Sequence, residues 1–230
     1  GFTIKFHDID PKTWLAVLPK PDPHELLCPV DTFGSCYPTD SDDDRYQWVD
    51  SAQSLCTKWQ STEPNRIVSL SGSKIVTSGE GGVLLTQNQE FADFARSIAA
   101  IYSRMTEANA VIGLSYLEGA DEILARKKAI SEAYRSAFPD LQWQDIPIDT
   151  NHYINAALVD DVRAFRKANP EWEFRDYYQS IVSETDTFIG FDAMGESLHN
   201  LPNTRIVARH ILAFPSWPDM DIERIRELKT

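Results

Sequence analysis

Lys74 stands in the stretch Ser69–Gly82, SLSGSKIVTSGEGG, among serines and glycines. The nearest charge before it is Arg66 and the nearest after it is Glu80. A lysine so far from other charges is expected to be partly withdrawn from water, where the neutral, nucleophilic amine gains over the ammonium. The competing reading is an ordinary exposed lysine in a polar loop. Asp50 follows a short apolar run, Gln47–Val49, where a parallel strand would end. Ligands of open α/β sheets gather at such ends, although Asp50 would equally serve to cap a helix beginning at Ser51. Gln53 comes three residues later, and Ser69 closes the next apolar piece. The glycines of Gly79–Gly82 require no more than a tight turn.

In order, the chain therefore offers strand–D-x-x-Q, strand–S-x-x-x-x-K, then G-E-G-G–strand. This set resembles the DegT/StrS family of sugar aminotransferases, fold-type-I enzymes dependent on pyridoxal 5'-phosphate (PLP). The family's D-A-A-Q reads here Asp50-Ser51-Ala52-Gln53, its S-F-x-x-x-K reads Ser69 to Lys74, and its T-G-E-G-G reads Ser78 to Gly82. The likeness continues in PVDTFG (Pro29–Gly34), in YSRMTEANAVIGLSYLE (Tyr102–Glu118) and in LPNTRIVARHILAFPSWP (Leu201–Pro218).

The resemblance implies roles. Lys74 would form a Schiff base with the PLP aldehyde and, once released, act as the general base of the proton shift. Asp50 would keep the pyridine nitrogen protonated so that the ring withdraws electrons. Gln53 would bond near the ring hydroxyl and Ser69 would donate to the phosphate. Tyr102 takes the place of the family's asparagine that reaches the neighbouring subunit's phosphate, and its hydroxyl is expected to serve there. The implied substrates are a keto-sugar, nucleotide-linked, and an amino-acid amino donor. A retained Lys74 favours transamination over the family's dehydratase branch, where that lysine is replaced.

Three departures stand beside this. GFTIKFHDID resembles the family's G-x-x-P-V-F-V-D-I-D, so what the family places before it, including a helix-end phosphate site, is expected to be missing. Tyr102 replaces the asparagine. The acidic connector between Gly34 and Asp50 is short where the family has a helix. Two readings follow: a PLP-dependent aminotransferase whose missing segment comes from a second chain or a longer product, or a truncated, catalytically silent relative acting as a binding or assembly module. A homodimer is expected, since each family active site borrows residues from its neighbour.

The elements that must hold these residues read as α/β. Thr3–Ile9, Leu26–Val30, Gln47–Val49, Arg66–Leu70 and Val83–Thr86 are strand candidates, suggesting an incomplete fold-type-I large domain with a mainly parallel sheet. Asn88 is a candidate cap for a helix carrying Phe91, Phe94, Ala95 and Ile98 on one side. From Arg104 to Phe138 a helical stripe runs through Leu117, Ala120, Ile123, Ile130, Tyr134 and Ala137, with Lys127 and Lys128 mostly off it and a break or bend at Gly119. Strands at Leu141–Ile148 and Tyr153–Val159 and helices at Val162–Ala168 and Asp221–Leu228 suggest a small C-terminal α+β domain. The expected divisions are 1–103, 104–138 and 139–230.

With 230 residues, 42% of them hydrophobic, the chain has ample material for a core. A net charge of −13 argues against binding nucleic acid or an anionic membrane. Cys28, Cys36 and Cys56 show no paired spacing, which fits a reducing, cytoplasmic setting. His7, His24, His152, His199 and His210 show no metal-ligand spacing. The acidic run Asp40–Asp44 reads as a solvated loop, His152 and Tyr153 open a strand in which His152 reads as a satisfied structural histidine sooner than a substrate contact, and Arg104 is expected to pair with Glu107 or border a subunit.

Overall fold

The computed structural model describes residues 4–18, 24–39, 48–59, 65–178 and 201–229. The run Asp40–Asp44, His199 and the first three residues lie outside them. The chain divides into two compact units, one of residues 21–129 and 146–153, the other of residues 1–20, 130–145 and 154–230.

In the first unit, β1 (Trp48–Asp50), β2 (Asn65–Ser69) and β3 (Gly82–Leu85) form one sheet in that order. β1 runs parallel to β2 with Asp50 opposite Ile67, and a further parallel bridge joins Val30 to Asp50. β3 adds an antiparallel edge, with Gly82 opposite Ser69. Alternation decides what each strand buries: Val49 and Val68 are fully buried while Ile67 is exposed. Beside the end of β1, where its N–H bonds the Asp50 carbonyl, Asp31 accepts through its carboxylate from Tyr37 N–H, the hydroxyls of Ser51 and Ser54, and the Arg66 guanidinium at 3.2 Å. Both charges are buried, so this ion pair persists because its lone pairs are satisfied. It ties the end of β1 to the loop before it.

Helix α1 (Gln89–Tyr102) starts where Asn88 accepts the N–H of Phe91 at 2.9 Å, the cap expected from sequence. Residues 103–106 leave the helical path, and α2 (Glu107–Glu118) then begins at Thr106, whose hydroxyl accepts the N–H of Asn109. Gly119 separates α2 from α3 (Ala120–Ala137), as its position in the stripe suggested. Neither α1 nor α2 buries a residue: Phe94 and Leu114 are each 60% exposed and Ile101 74%.

In the second unit, β4 (Gln142–Trp143), β5 (Asn155–Leu158) and β6 (Ile211–Phe214) form an antiparallel sheet with β5 central. Its core is aromatic, with Tyr134, Trp143, Phe165 and Phe174 all around Phe214 at centroid distances of 5.2 to 5.7 Å. Helices α4 (Val162–Ala168) and α5 (Pro202–His210) and a 3-10 turn at Ile222–Glu227 complete it.

Four expectations need correction. The strand expected over Leu26–Val30 is reduced to isolated bridges at Leu27 and Val30, since Pro29 between them has no N–H to give a ladder. Residues 4–9 form no strand, because their polar groups are used elsewhere: Asp8 caps α5 by accepting the N–H groups of Asn203 and Thr204, and Ile9 makes a single bridge with Ala16. The strand expected over Leu141–Ile148 shrinks to β4, since Gln144 and Asp145 bond instead to the carbonyls of Thr13 and Lys12. Lys127, placed off the helical stripe, is 6% exposed.

Candidate active site

Asp50 ends β1, and Ser69 ends β2 on the same edge of the parallel pair, so the Lys74 loop leaves the sheet where Asp50 and Gln53 do. No helix follows Asp50; the chain turns, and the carboxylate accepts the N–H of Ala52 at 3.0 Å. The remaining carboxylate oxygen makes no ion pair with any described residue. Burial first, and the charge of Asp50 second, push the neighbouring Cys28 thiol up. Sequence reasoning gave no sign of that neighbour.

Gln53 is divided between two tasks. Its Oε1 accepts the N–H of Phe33 at 2.6 Å, which holds a backbone kink in which Phe33 sits at φ 61°. Its Nε2 has no partner among the described residues and is left to donate. Ser69 Oγ accepts the N–H of Ser71 and lies 3.3 Å from the Ser71 hydroxyl, so it is already engaged with the first residues of the lysine loop.

Lys74 is half-buried, as its uncharged surroundings suggested. Its backbone N–H closes a turn onto the Ser71 carbonyl at 3.0 Å, and its Nζ lies 4.8 Å from the centroid of the Tyr153 ring. The loop returns through Gly79 (φ 82°) and Gly81 (φ 131°), conformations that suit glycine. A Cβ at Gly81 would lie 2.7 Å from Met105 Cε, and one at Gly82 would lie 2.9 Å from the Val68 carbonyl oxygen. Helix α2 closes on this turn: Asn109 Nδ2 donates to the Ser78 carbonyl, and a Cβ at Gly113 would meet Ser78 Cβ at 3.3 Å.

Asp50, Gln53, Ser69 and Lys74 thus belong to one sheet edge, whereas Tyr102 stands apart. It is the last residue of α1, 79% exposed, and it bonds to none of the other four. Arg104 is exposed and makes no ion pair with Glu107. The residues that sequence reasoning missed are Asn151 and Lys127. Asn151 Nδ2 donates to the carbonyls of Gln53 (2.8 Å) and Leu55 (2.9 Å), while Lys127 Nζ donates to the Tyr153 carbonyl (2.9 Å). Neither position carries a local pattern that would reveal such a contact.

An amine, a carboxylate oxygen and an amide donor without partners among the described residues, and a hydroxyl, along one edge, are the groups that would hold a pyridoxal ring and phosphate. Comparison with solved structures points the same way. The chain superposes on a sugar aminotransferase, CalS13, from Micromonospora echinospora with a TM-score of 0.80 and 17% identity, covering 97% of this chain and 74% of that one. A putative PLP-dependent aminotransferase from Bacillus cereus gives 0.77 at 19% identity over 97% and 71%. DesI, solved in the presence of its TDP-sugar product, gives 0.76 at 20% identity over 97% and 66%. The fold is therefore that of fold-type-I PLP aminotransferases, and the chain spans about two thirds to three quarters of these relatives' lengths. A family model matches residues 42–229, which contain all of the candidate site. The sheet edge with its lysine, the fold and that match agree: this chain belongs to the DegT/DnrJ/EryC1/StrS aminotransferase family, whose cofactor is PLP.

Proposed function

We propose that this chain acts as a PLP-dependent aminotransferase that converts a keto-sugar to an amino-sugar, with Lys74 as its catalytic residue. The observation that carries the reading is the half-buried Lys74, on the loop that leaves the sheet where β1 ends in Asp50, whose carboxylate has no cationic partner among the described residues. PLP, when bound, supplies an aldehyde for the amine and a ring that accepts electrons. Lys74 would hold the cofactor through its Nζ and, when free, would accept and return a proton there. Asp50 would face the pyridine nitrogen and favour its protonated form. Gln53 Nε2 would be the donor for the ring hydroxyl, and Ser69 Oγ would be a donor for the phosphate. The exposure of Tyr102 supports a role for its hydroxyl toward a neighbouring subunit rather than toward its own site.

A nucleotide-linked sugar is the substrate class, supported by the sugar product in the DesI structure, with an amino acid as donor. The working unit is a homodimer, or a complex in which a second chain covers the bare faces of α1 and α2; both are supported by the exposure of Phe94, Ile101 and Leu114. Among the described residues no helix is long and apolar enough to cross a membrane. A cytoplasmic setting is proposed on the three cysteines, which show no paired spacing. The test is a half-reaction: the chain loaded with PLP is mixed with L-glutamate and pyridoxamine phosphate is measured. The parent is expected to form it and Lys74→Ala is not. A folded, PLP-loaded parent that forms none, alone and with other amino acids, would favour the silent binding module instead.

A further inference from the structure

The segment 149–153 is stapled to the first unit by more bonds than a connector needs. The N–H of Cys36 donates to the Asp149 carbonyl, the N–H of Lys58 to the Asp149 carboxylate, and Asn151 Nδ2 to the carbonyls of Gln53 and Leu55. Gly34, at φ 91°, lets the Asn151 side chain approach: a Cβ there would fall 2.0 Å from Asn151 Oδ1. His152 adopts φ 52°, a conformation that a non-glycine residue takes when its surroundings dictate it.

Everything these bonds fix is delivered at Tyr153. Its N–H donates to Asn151 Oδ1 at 3.0 Å, and its carbonyl accepts from the buried ammonium of Lys127 at 2.9 Å. The ring is buried, at 8% exposure, and presents its face to Lys74 Nζ at 4.8 Å. Its hydroxyl is 3.1 Å from Ser73 Oγ, one residue before the lysine. Lys74 Nζ itself has no hydrogen bond or ion pair with any described residue. A lysine has four rotatable side-chain bonds, and ordering such a chain costs conformational entropy, so an amine that must meet one carbon needs a holder. An aromatic face attracts an ammonium within about 6 Å of its centroid.

We infer that Tyr153 is the positioning residue of Lys74: its ring holds the Nζ, its hydroxyl holds the loop through Ser73, and Lys127 and Asn151 hold Tyr153. The same Asn151 grips Gln53, so the lysine loop and the D-x-x-Q corner are set by one bracket. The inference rests on Lys74 being the cofactor lysine for its purpose, but its geometry is tested without cofactor.

The experiment uses the full chain with its lysines reductively 13C-methylated, which keeps the charge and places methyl groups on Nζ. The Lys74 signal, assigned by its loss in Lys74→Arg, is expected to be moved upfield of the exposed lysines by the ring current of Tyr153. Tyr153→Phe is expected to retain the shift, Tyr153→Leu to abolish it, and Lys127→Met to reduce it, while the remaining methyl signals stay in place and report a native fold. A Lys74 signal at the exposed-lysine position in the parent, or one unmoved in a folded Tyr153→Leu, overturns the inference. Borohydride reduction of unmethylated samples of the same proteins with PLP, read by mass spectrometry, separates the two readings. PLP fixed on Lys74 without the ring-current shift defeats the role of Tyr153 alone. The shift without PLP on Lys74 defeats the cofactor reading and leaves the placement standing.

Discussion

A lysine out of water carries a cost that depends on pH, and Lys127 is such a lysine. Burial pushes its ammonium down from 10.5 to about 8. Below about pH 8 the folded and unfolded chains are both protonated there, and the folded chain bears the desolvation cost. Between about 8 and 10.5 the unfolded chain binds more protons than the folded one, so stability rises with pH and the cost is relieved. The full relief is on the order of 3 kcal/mol. Urea unfolding of the parent is expected to show this rise and Lys127→Met is not; parallel profiles for the two would contradict the assignment. Lys127 and Lys128 are neighbours of the same type, and no pattern in the chain told the buried one from the exposed one. Lys74 and Asp50 were legible because each is marked by what adjoins it, an uncharged loop and a strand end. Gln53 was legible as a motif member, but its bond to the Phe33 N–H depends on a kink twenty residues away in sequence and could not be read.

The elements follow their local signals where those signals concern the backbone. Asn88 caps α1 and Gly119 interrupts the helices because side-chain acceptors and missing side chains act within one turn. The glycine-rich turn was legible as a turn, but the reason for each glycine was not, since it lies in contacts with Met105 on another element and Val68 across the ladder. Gly81→Ala is expected to cost about 1 to 3 kcal/mol, from the positive φ and the approach of Met105. The change is to be measured as a lowered urea midpoint with an unaltered slope, and an unchanged midpoint would show that the turn is not held this way. The residues 4–9 show the opposite failure. An alternating pattern suggested a strand, yet pattern cannot supply a partner strand, and Asp8 found a helix end instead.

On the scale of the molecule, α1 and α2 present an unusual balance. Their apolar residues are spaced for burial, yet Phe94, Ile101, Val111 and Leu114 are all at least 60% exposed in the single chain. Helices of this kind gain their stability from packing rather than propensity, so a covering surface is expected, provided by a second copy or by another chain. Sedimentation of the 26.1 kDa chain is expected to show association that Phe94→Ser combined with Ile101→Ser weakens. A monomer unaffected by the pair of changes would leave these faces without the role proposed. Composition and charge could bound this chain's class, but the cover of an exposed face belongs to another surface and was beyond the reach of its own sequence.

The most direct test of the account is the visible absorption spectrum of the purified chain with added PLP, beside that of Lys74→Ala. The account predicts an absorption band of lysine-bound PLP in the parent that is missing from the variant. No such band in a folded parent, or an equal band in the variant, would contradict the claim that Lys74 is the lysine that holds the cofactor.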